Sequence, residues 1–265
     1  MSDDITHILA SWDYRIGRVN ARRLTGDDGV EKVQLRIDLG VLQMNASFRP
    51  DGKRPFGHPT LLDHFLVRLE KYRDENEGGD EQFQLDPDEC AKLQQEAIQF
   101  HHRSICFFQL DDFEAVERDT DHILDVLDFV EDYAGHPDMG TAFQQFRPQT
   151  LMMQARAIGT RLIGQKNYPE AIKEIRGGID ALQDFYREMD REDMIDASME
   201  IHSLSEWLKE VEKEAERKRP MSRCERLERQ LAEAIEKEDF EKAARVRDKL
   251  KAATEKKAGS EPKAG

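Results

Sequence analysis

Residues 224 to 250 read Cys224-Glu-Arg-Leu-Glu-Arg-Gln-Leu-Ala-Glu-Ala-Ile-Glu-Lys-Glu-Asp-Phe-Glu-Lys-Ala-Ala-Arg-Val-Arg-Asp-Lys-Leu250, two helical patterns separated by one short break. Leu227, Leu231, Ala234 and Ile235 share one face at helical spacing. Phe240, Ala243, Ala244, Val246 and Leu250 form a matching stripe on the second segment. Glu238-Asp239 marks the turn, and Asp239 is a favourable N-cap for the second helix. The small side chains at Ala243 and Ala244 let two backbones approach closely. The pattern therefore predicts a helical hairpin. A hairpin of about 30 residues cannot bury enough apolar surface to stand alone. Its stripe needs a second copy, another protein or the rest of this chain. Contact is expected at Leu227, Leu231, Ile235, Phe240, Ala243, Ala244 and Leu250, with Glu238, Asp239, Arg247 and Asp248 setting the turn and the charge pairing.

The same residues carry a resemblance. Leu227-x3-Leu231-x2-Ala234-Ile235-x2-Glu238-Asp239-Phe240-Glu241-x-Ala243-Ala244-x2-Arg247-Asp248 resembles the UVR motif, the UvrB/UvrC interaction motif, over roughly an eighth of the chain. The resemblance implies a hairpin through which excision-repair subunits bind one another, as similar hairpins do in Clp-type chaperone ATPases and McsA-type adaptors. It implies protein–protein contact and leaves the pathway open. The chain has no Gly-x4-Gly-Lys-Ser/Thr loop of a helicase subunit, no nuclease signature and no Cys-x2-Cys pair of a zinc-bearing adaptor.

Composition suits a helix-rich chain with small cores: 38% hydrophobic and 36% charged residues over 265 positions. No apolar run approaches a membrane span, and Met1-Ser-Asp-Asp-Ile-Thr lacks an apolar signal core. Cys90, Cys106 and Cys224 are an odd, widely spaced set. A cytoplasmic protein without a disulfide framework is expected. The net charge of −15 is uneven, because Lys209 to Lys257 holds sixteen basic and thirteen acidic side chains. The remainder is acidic enough to repel phosphates, so nucleic acid is expected at most at the basic linker, residues 217–223.

The remaining segments predict a mainly α, α+β protein. Residues 1–57 read as a small antiparallel β meander, with strands at Ile16–Leu24, Val33–Leu39 and Leu42–Phe48 and a turn at Thr25–Gly29. Residues 58–219 read as a helical body. Helices are expected at about 61–75, 86–110, 112–133, 148–165, 169–189 and 193–219, with Glu77-Gly-Gly-Asp80 as a break. The terminal hairpin occupies 221–254, and 255–265 is expected to be disordered. Gly159, Tyr168 and Ala171 fall at the small–aromatic–small spacing of a tetratricopeptide repeat, and Ser104, Phe113 and Val116 repeat it 55 residues earlier. The body is thus similar to tetratricopeptide-like arrays, with a plain antiparallel bundle as the equal alternative. Residues 39–63 are faintly similar to segments of uncharacterised bacterial proteins with the same C-terminal motif.

Arg49, Lys53 and Arg54 place three cations in an acidic region, either as an anion site or paired with Asp63 and Glu70. His58, Asp63, His64, His101, His102, Cys106, Asp119 and His122 offer no second Glu-x2-His element, so no metal or other cofactor is expected. Cys106 lies in an apolar context and Cys90 beside Asp88 and Glu89, which disfavours a thiolate nucleophile. Glu114, Glu117 and Asp121 read as a solvated helix face, Trp12, Tyr14 and Trp207 as packing anchors, and Gly177-Gly178 as a close helix contact. The expected function is a non-enzymatic adaptor or scaffold. Its rivals are a nucleotide-excision-repair accessory and a small-molecule enzyme with a site near residues 49–64.

Overall fold

The computed structural model describes residues 4–219 and 223–258. They divide into two compact units, Met1–Glu212 and Lys213–Gly265.

The first unit begins with a short helix, α1 (Thr6–Ala10), followed by strands β1 (Ala21–Thr25), β2 (Glu31–Ile37) and β3 (Gly40–Asn45). They form an antiparallel sheet in the order β1-β2-β3, with Val33 opposite Arg23 and Met44. The first strand starts later than Ile16, because Gly17 turns the chain at φ 76° and leaves Ile16 90% exposed. The third strand ends at Asn45, before Phe48. Alternation also stops early: Val33 and Leu35 are buried, whereas Ile37 and Leu39 lie at the β2–β3 turn and are exposed. The buried face packs Val33, Leu35, Met44 and Ala46 against Phe107, Val116 and Ala157 of the helices. The opposite face is covered by the N-terminal segment, where Arg22 lies 4.1 Å from the Trp12 ring and Arg36 Nε donates to the Trp12 carbonyl at 2.8 Å.

A 3₁₀ turn (Pro55–Gly57) leads into α2 (Leu61–Glu75), then α3 (Pro87–Gln109) and α4 (Phe113–Tyr133). Both α2 and α3 open with capping boxes, Thr60 with Asp63 and Asp86 with Glu89. A short helix, α5 (Pro137–Gln144), follows in the interval left between the helices expected at 112–133 and 148–165. Pro137 occupies its first turn, where a missing N–H costs nothing, and Phe143 and Gln144 are buried. Then come α6 (Arg147–Gly164), α7 (Tyr168–Glu188), α8 (Asp193–Ala197) and α9 (Met199–Lys218). The single helix expected from Asp193 is broken at Ser198, whose ψ of 121° is extended and whose Oγ accepts from the Ile201 amide at 3.3 Å. Consecutive helices pack in pairs, α3 on α4 and α6 on α7, joined by α4 on α6. Gly178 allows close packing, since a Cβ there would come within 2.5 Å of the Ala155 Cβ, whereas Gly177 faces open space. Gly159 likewise admits Trp207, at 2.6 Å from where its Cβ would stand.

A polar network sits inside this apolar frame. Arg103 and Asp119, both at 0% exposure, form a bidentate pair at 2.7 and 2.8 Å. The remaining Arg103 Nη1 donates to the carbonyls of Asn45 and Phe48, at 2.9 and 2.5 Å. Glu96, also at 0%, accepts from the Leu61 and Leu62 amides at the start of α2, at 2.7 and 3.1 Å. It also pairs with Arg49 at 2.9 Å and His122 at 3.2 Å. Asp119 and His122 are therefore held by protein partners, and among the described residues no three His, Cys, Asp or Glu side chains cluster as metal ligands. Burial raises the Cys90 thiol pKa and pushes that of Cys106 up to about 12, so both are poor nucleophiles at neutral pH.

Arg103→Ala should cost about 3–5 kcal/mol in urea unfolding, because Asp119 would remain buried and unpaired. The double change Arg103→Met with Asp119→Leu should recover part of that loss; a double variant no more stable than the single one would contradict the account. A second expectation concerns pH. Burial holds the His101 and His102 imidazoles below the usual value of 6.5, with His102 adding to the effect on His101. The unfolded chain therefore binds more protons than the folded one as pH falls. This contribution is complete above 6.5 and is lost through the lowered folded value. The urea midpoint should fall between about pH 7 and pH 5, and less steeply in His101→Gln.

Candidate docking surface

The second unit begins in the last turns of α9 and holds a helical hairpin of α10 (Arg223–Glu236) and α11 (Phe240–Ala258). Of the tail expected from residue 255 on, 255–258 continue α11, and 259–265 lie outside the described residues, as do 220–222 of the basic linker. In that linker Arg217 and Lys218 end α9, and Arg223 opens α10. The seam between α10 and α11 is made of small side chains: Ala234, Ala243 and Val246 are buried, and Leu227, Leu231 and Leu250 are half-buried. Ala244 does not join the seam and is exposed, because one residue past Ala243 the helix has turned by about 100°. Ile235 and Phe240 flank the turn and are 54% and 72% exposed.

The turn is built from backbone and cap. Glu238 adopts φ 54°, the Asp239 amide reaches back to the Ala234 carbonyl at 2.9 Å, and Asp239 Oδ1 accepts from the Lys242 amide at 3.0 Å. Asp239 is thus the N-cap expected from sequence. Arg247 and Asp248 pair with each other at 2.9 Å, and both are exposed. They stand on α11 away from the turn and do not shape it.

The first unit repeats these backbone bonds at Glu77, Asp111, Lys166 and Asp190, and at two of them a helix with an aromatic first residue follows directly. Asp111 and Lys166 adopt φ 56° and 61°, and the following Asp112 and Asn167 amides reach back to the Phe107 and Leu162 carbonyls at 3.0 and 2.9 Å. An aromatic residue then opens the second helix: Phe113 in α4, Tyr168 in α7 and Phe240 in α11. Three residues on stand Val116, Ala171 and Ala243, whose amides bond to Asp112, Asn167 and Asp239 carbonyls. The three hairpins differ in what surrounds the aromatic. Tyr168 is 7% exposed and Phe113 half-buried, whereas Phe240 is 72% exposed.

The other sequence candidates lie elsewhere. Arg49 is committed to Glu96 and, at 3.6 Å, to Asp51, and so pairs with neither Asp63 nor Glu70. Asp63 belongs to the cap of α2. Lys53 and Arg54 are exposed on the loop after β3, beside Asn45, Phe48 and Pro59 around a cleft of about 110 Å³. His64 stacks on Phe56 at 4.1 Å and stands 5.5 Å from His58; burial, then His58 and Arg68, lower its pKa. Glu117 pairs with Arg161 at 2.8 Å, and burial with its acidic neighbours raises the Asp121 pKa.

Residues 223–255 match the family described as the UvrB/uvrC motif. The match covers the hairpin and supports a role in protein binding. No curated protein and no solved structure matches the chain. No helix among the described residues is long and apolar enough to cross a membrane.

Asp239→Ala should remove about 1 kcal/mol of hairpin stability by leaving the first-turn amides of α11 without their side-chain partner. Faster amide exchange at Lys242 and Ala243 in the full chain, with the first unit unchanged, is the expected readout.

Proposed function

We propose that the chain is a non-enzymatic adaptor whose terminal hairpin grips a second helical hairpin, on another protein or on a second copy of itself. One observation carries this reading. The aromatic that opens the second helix is covered in α4 and α7 of the first unit but bare in α11. Phe113 meets Phe108 of its own hairpin at 5.6 Å and Tyr168 is buried, whereas Phe240 has no comparable cover, and a partner surface would supply it. The stripe through Leu227, Leu231, Ile235, Phe240 and Leu250 is the contact, and Arg247 and Asp248 rim it. The UvrB/uvrC match over the same residues supports a protein as the partner. The helical body, in pairs of helices resembling a tetratricopeptide-like array, offers a surface for a second partner. Its acidity weighs against nucleic acid as that partner.

Phe240 and Ile235 are outside the hairpin's own seam, so the change Ile235→Ala with Phe240→Ala should alter stability by less than about 0.5 kcal/mol. It should weaken association at least tenfold. Sedimentation of the full chain across a concentration series reads self-association, and a titration against excision-repair subunits carrying the same motif reads the other source. Association that survives the double change, with folding intact by circular dichroism, would remove the basis for this reading.

A further inference from the structure

A cleft of about 100 Å³ lies between α3, α4, α5 and α6, far in sequence from the hairpin. Its walls are Ala97, Ile123, Leu127 and Phe143, all buried, and the half-buried Ile98. No Asp, Glu, Lys or Arg lines it. Three polar side chains do: Gln94, His101 and Gln149. Among the described residues neither the His101 ring nor the two amides form a hydrogen bond, while the fourth polar group, Thr150, is committed to the Phe146 carbonyl at 2.9 Å. Gln94 and His101 are half-buried and leave hydrogen-bonding groups open at the cleft, whereas Gln149 is exposed to water.

Size and charge narrow the occupant. An apolar cavity of about 150 Å³ holds one benzene ring, so this smaller cleft of about 100 Å³ takes at most a single small ring and is far too small for a helix. A carboxylate or ammonium group would shed water here without meeting an opposite charge, which is strongly unfavourable. We propose that the cleft binds a small uncharged ring compound bearing one hydroxyl or comparable hydrogen-bonding group, with the ring among Ala97, Leu127 and Phe143 and the polar group on His101. Burial holds the His101 imidazole neutral near pH 7, so it offers one donor and one acceptor nitrogen. The short α5 brings Phe143 to the wall.

The probes are phenol, benzene and benzoate, titrated into the full chain and followed by thermal midpoint and by the His101 ring resonances. Phenol should raise the midpoint and shift His101, benzene should bind about tenfold more weakly for want of one hydrogen bond, and benzoate should not bind. Ala97→Met fills the cleft and should abolish the phenol effect. If that variant does not fold, His101→Phe replaces it and should bring phenol and benzene to equal affinity. Equal affinities in the unaltered chain, no response to either ring, or phenol binding that persists in folded Ala97→Met would overturn the proposal. So would a cleft that fills only when a partner protein is added, since it would then be a socket for a side chain.

Discussion

Arg103 and Asp119 are both cut off from water inside the helical body. Removing two ions from water costs several kcal/mol each, which only near-complete hydrogen bonding offsets. The geometry supplies it, with two bonds from the guanidinium to the carboxylate and two more to the carbonyls of Asn45 and Phe48. Those two carbonyls belong to the last residue of β3 and to the loop that leaves it. The sheet's place on the helices is thus set by charge as well as by Val33, Leu35 and Met44, and a slipped register would strand the guanidinium. Phe48 sits at φ 57° with its side chain 79% exposed. That conformation costs about 1–2 kcal/mol, and the bond from Arg103 to its carbonyl helps hold it. Glu96 does the corresponding work at the start of α2, where it satisfies two amides left open by the helix.

The sequence shows much of this frame and little of its polar centre. Asp86-Pro87, the alternation around Val33 and the glycines at 78 and 79 each act within a few residues, so the elements they bound were readable. The α8–α9 break depends on Ser198 serving as a cap, and its signal is no stronger than that of any serine in a helical pattern. The network is different in kind. Arg103 lies on the stripe of Phe100 and Phe107, Asp119 on that of Val116 and Ile123, and Glu96 on that of Leu93 and Phe100. Charges on apolar stripes are the available sign of buried pairing, but spacing along one helix does not say which charge meets which. Arg49 illustrates the limit: nearness in sequence favoured Asp63 and Glu70, while the fold brings it to Glu96, 47 positions away.

The docking surface was legible for the opposite reason. A hairpin turn is local: a left-handed residue, a capping Asp or Asn, an aromatic, and a small residue three places on, all within about seven positions. Glu238 to Ala243 encode it without help from distant chain, and the same backbone bonds recur at Asp111 to Val116 and Lys166 to Ala171. What local sequence cannot encode is whether the aromatic is covered, since cover comes from whichever element packs alongside.

That division between local turn and distant cover bears on how the hairpin is used. Its seam closes on Ala234, Ala243 and Val246, side chains too small to supply much burial. The larger ones, Ile235 and Phe240, point away from the seam and stay in water. Leu227, Leu231 and Leu250 add only half-buried bulk to that seam, while Ile235 and Phe240 contribute none. Small residues within let α10 and α11 approach closely, and the close approach leaves the two large side chains together beside the turn. Burying a Phe or an Ile side chain stabilises by about 1.5–3 kcal/mol, so a partner that covered both would gain several kcal/mol from two residues that the isolated hairpin leaves unused.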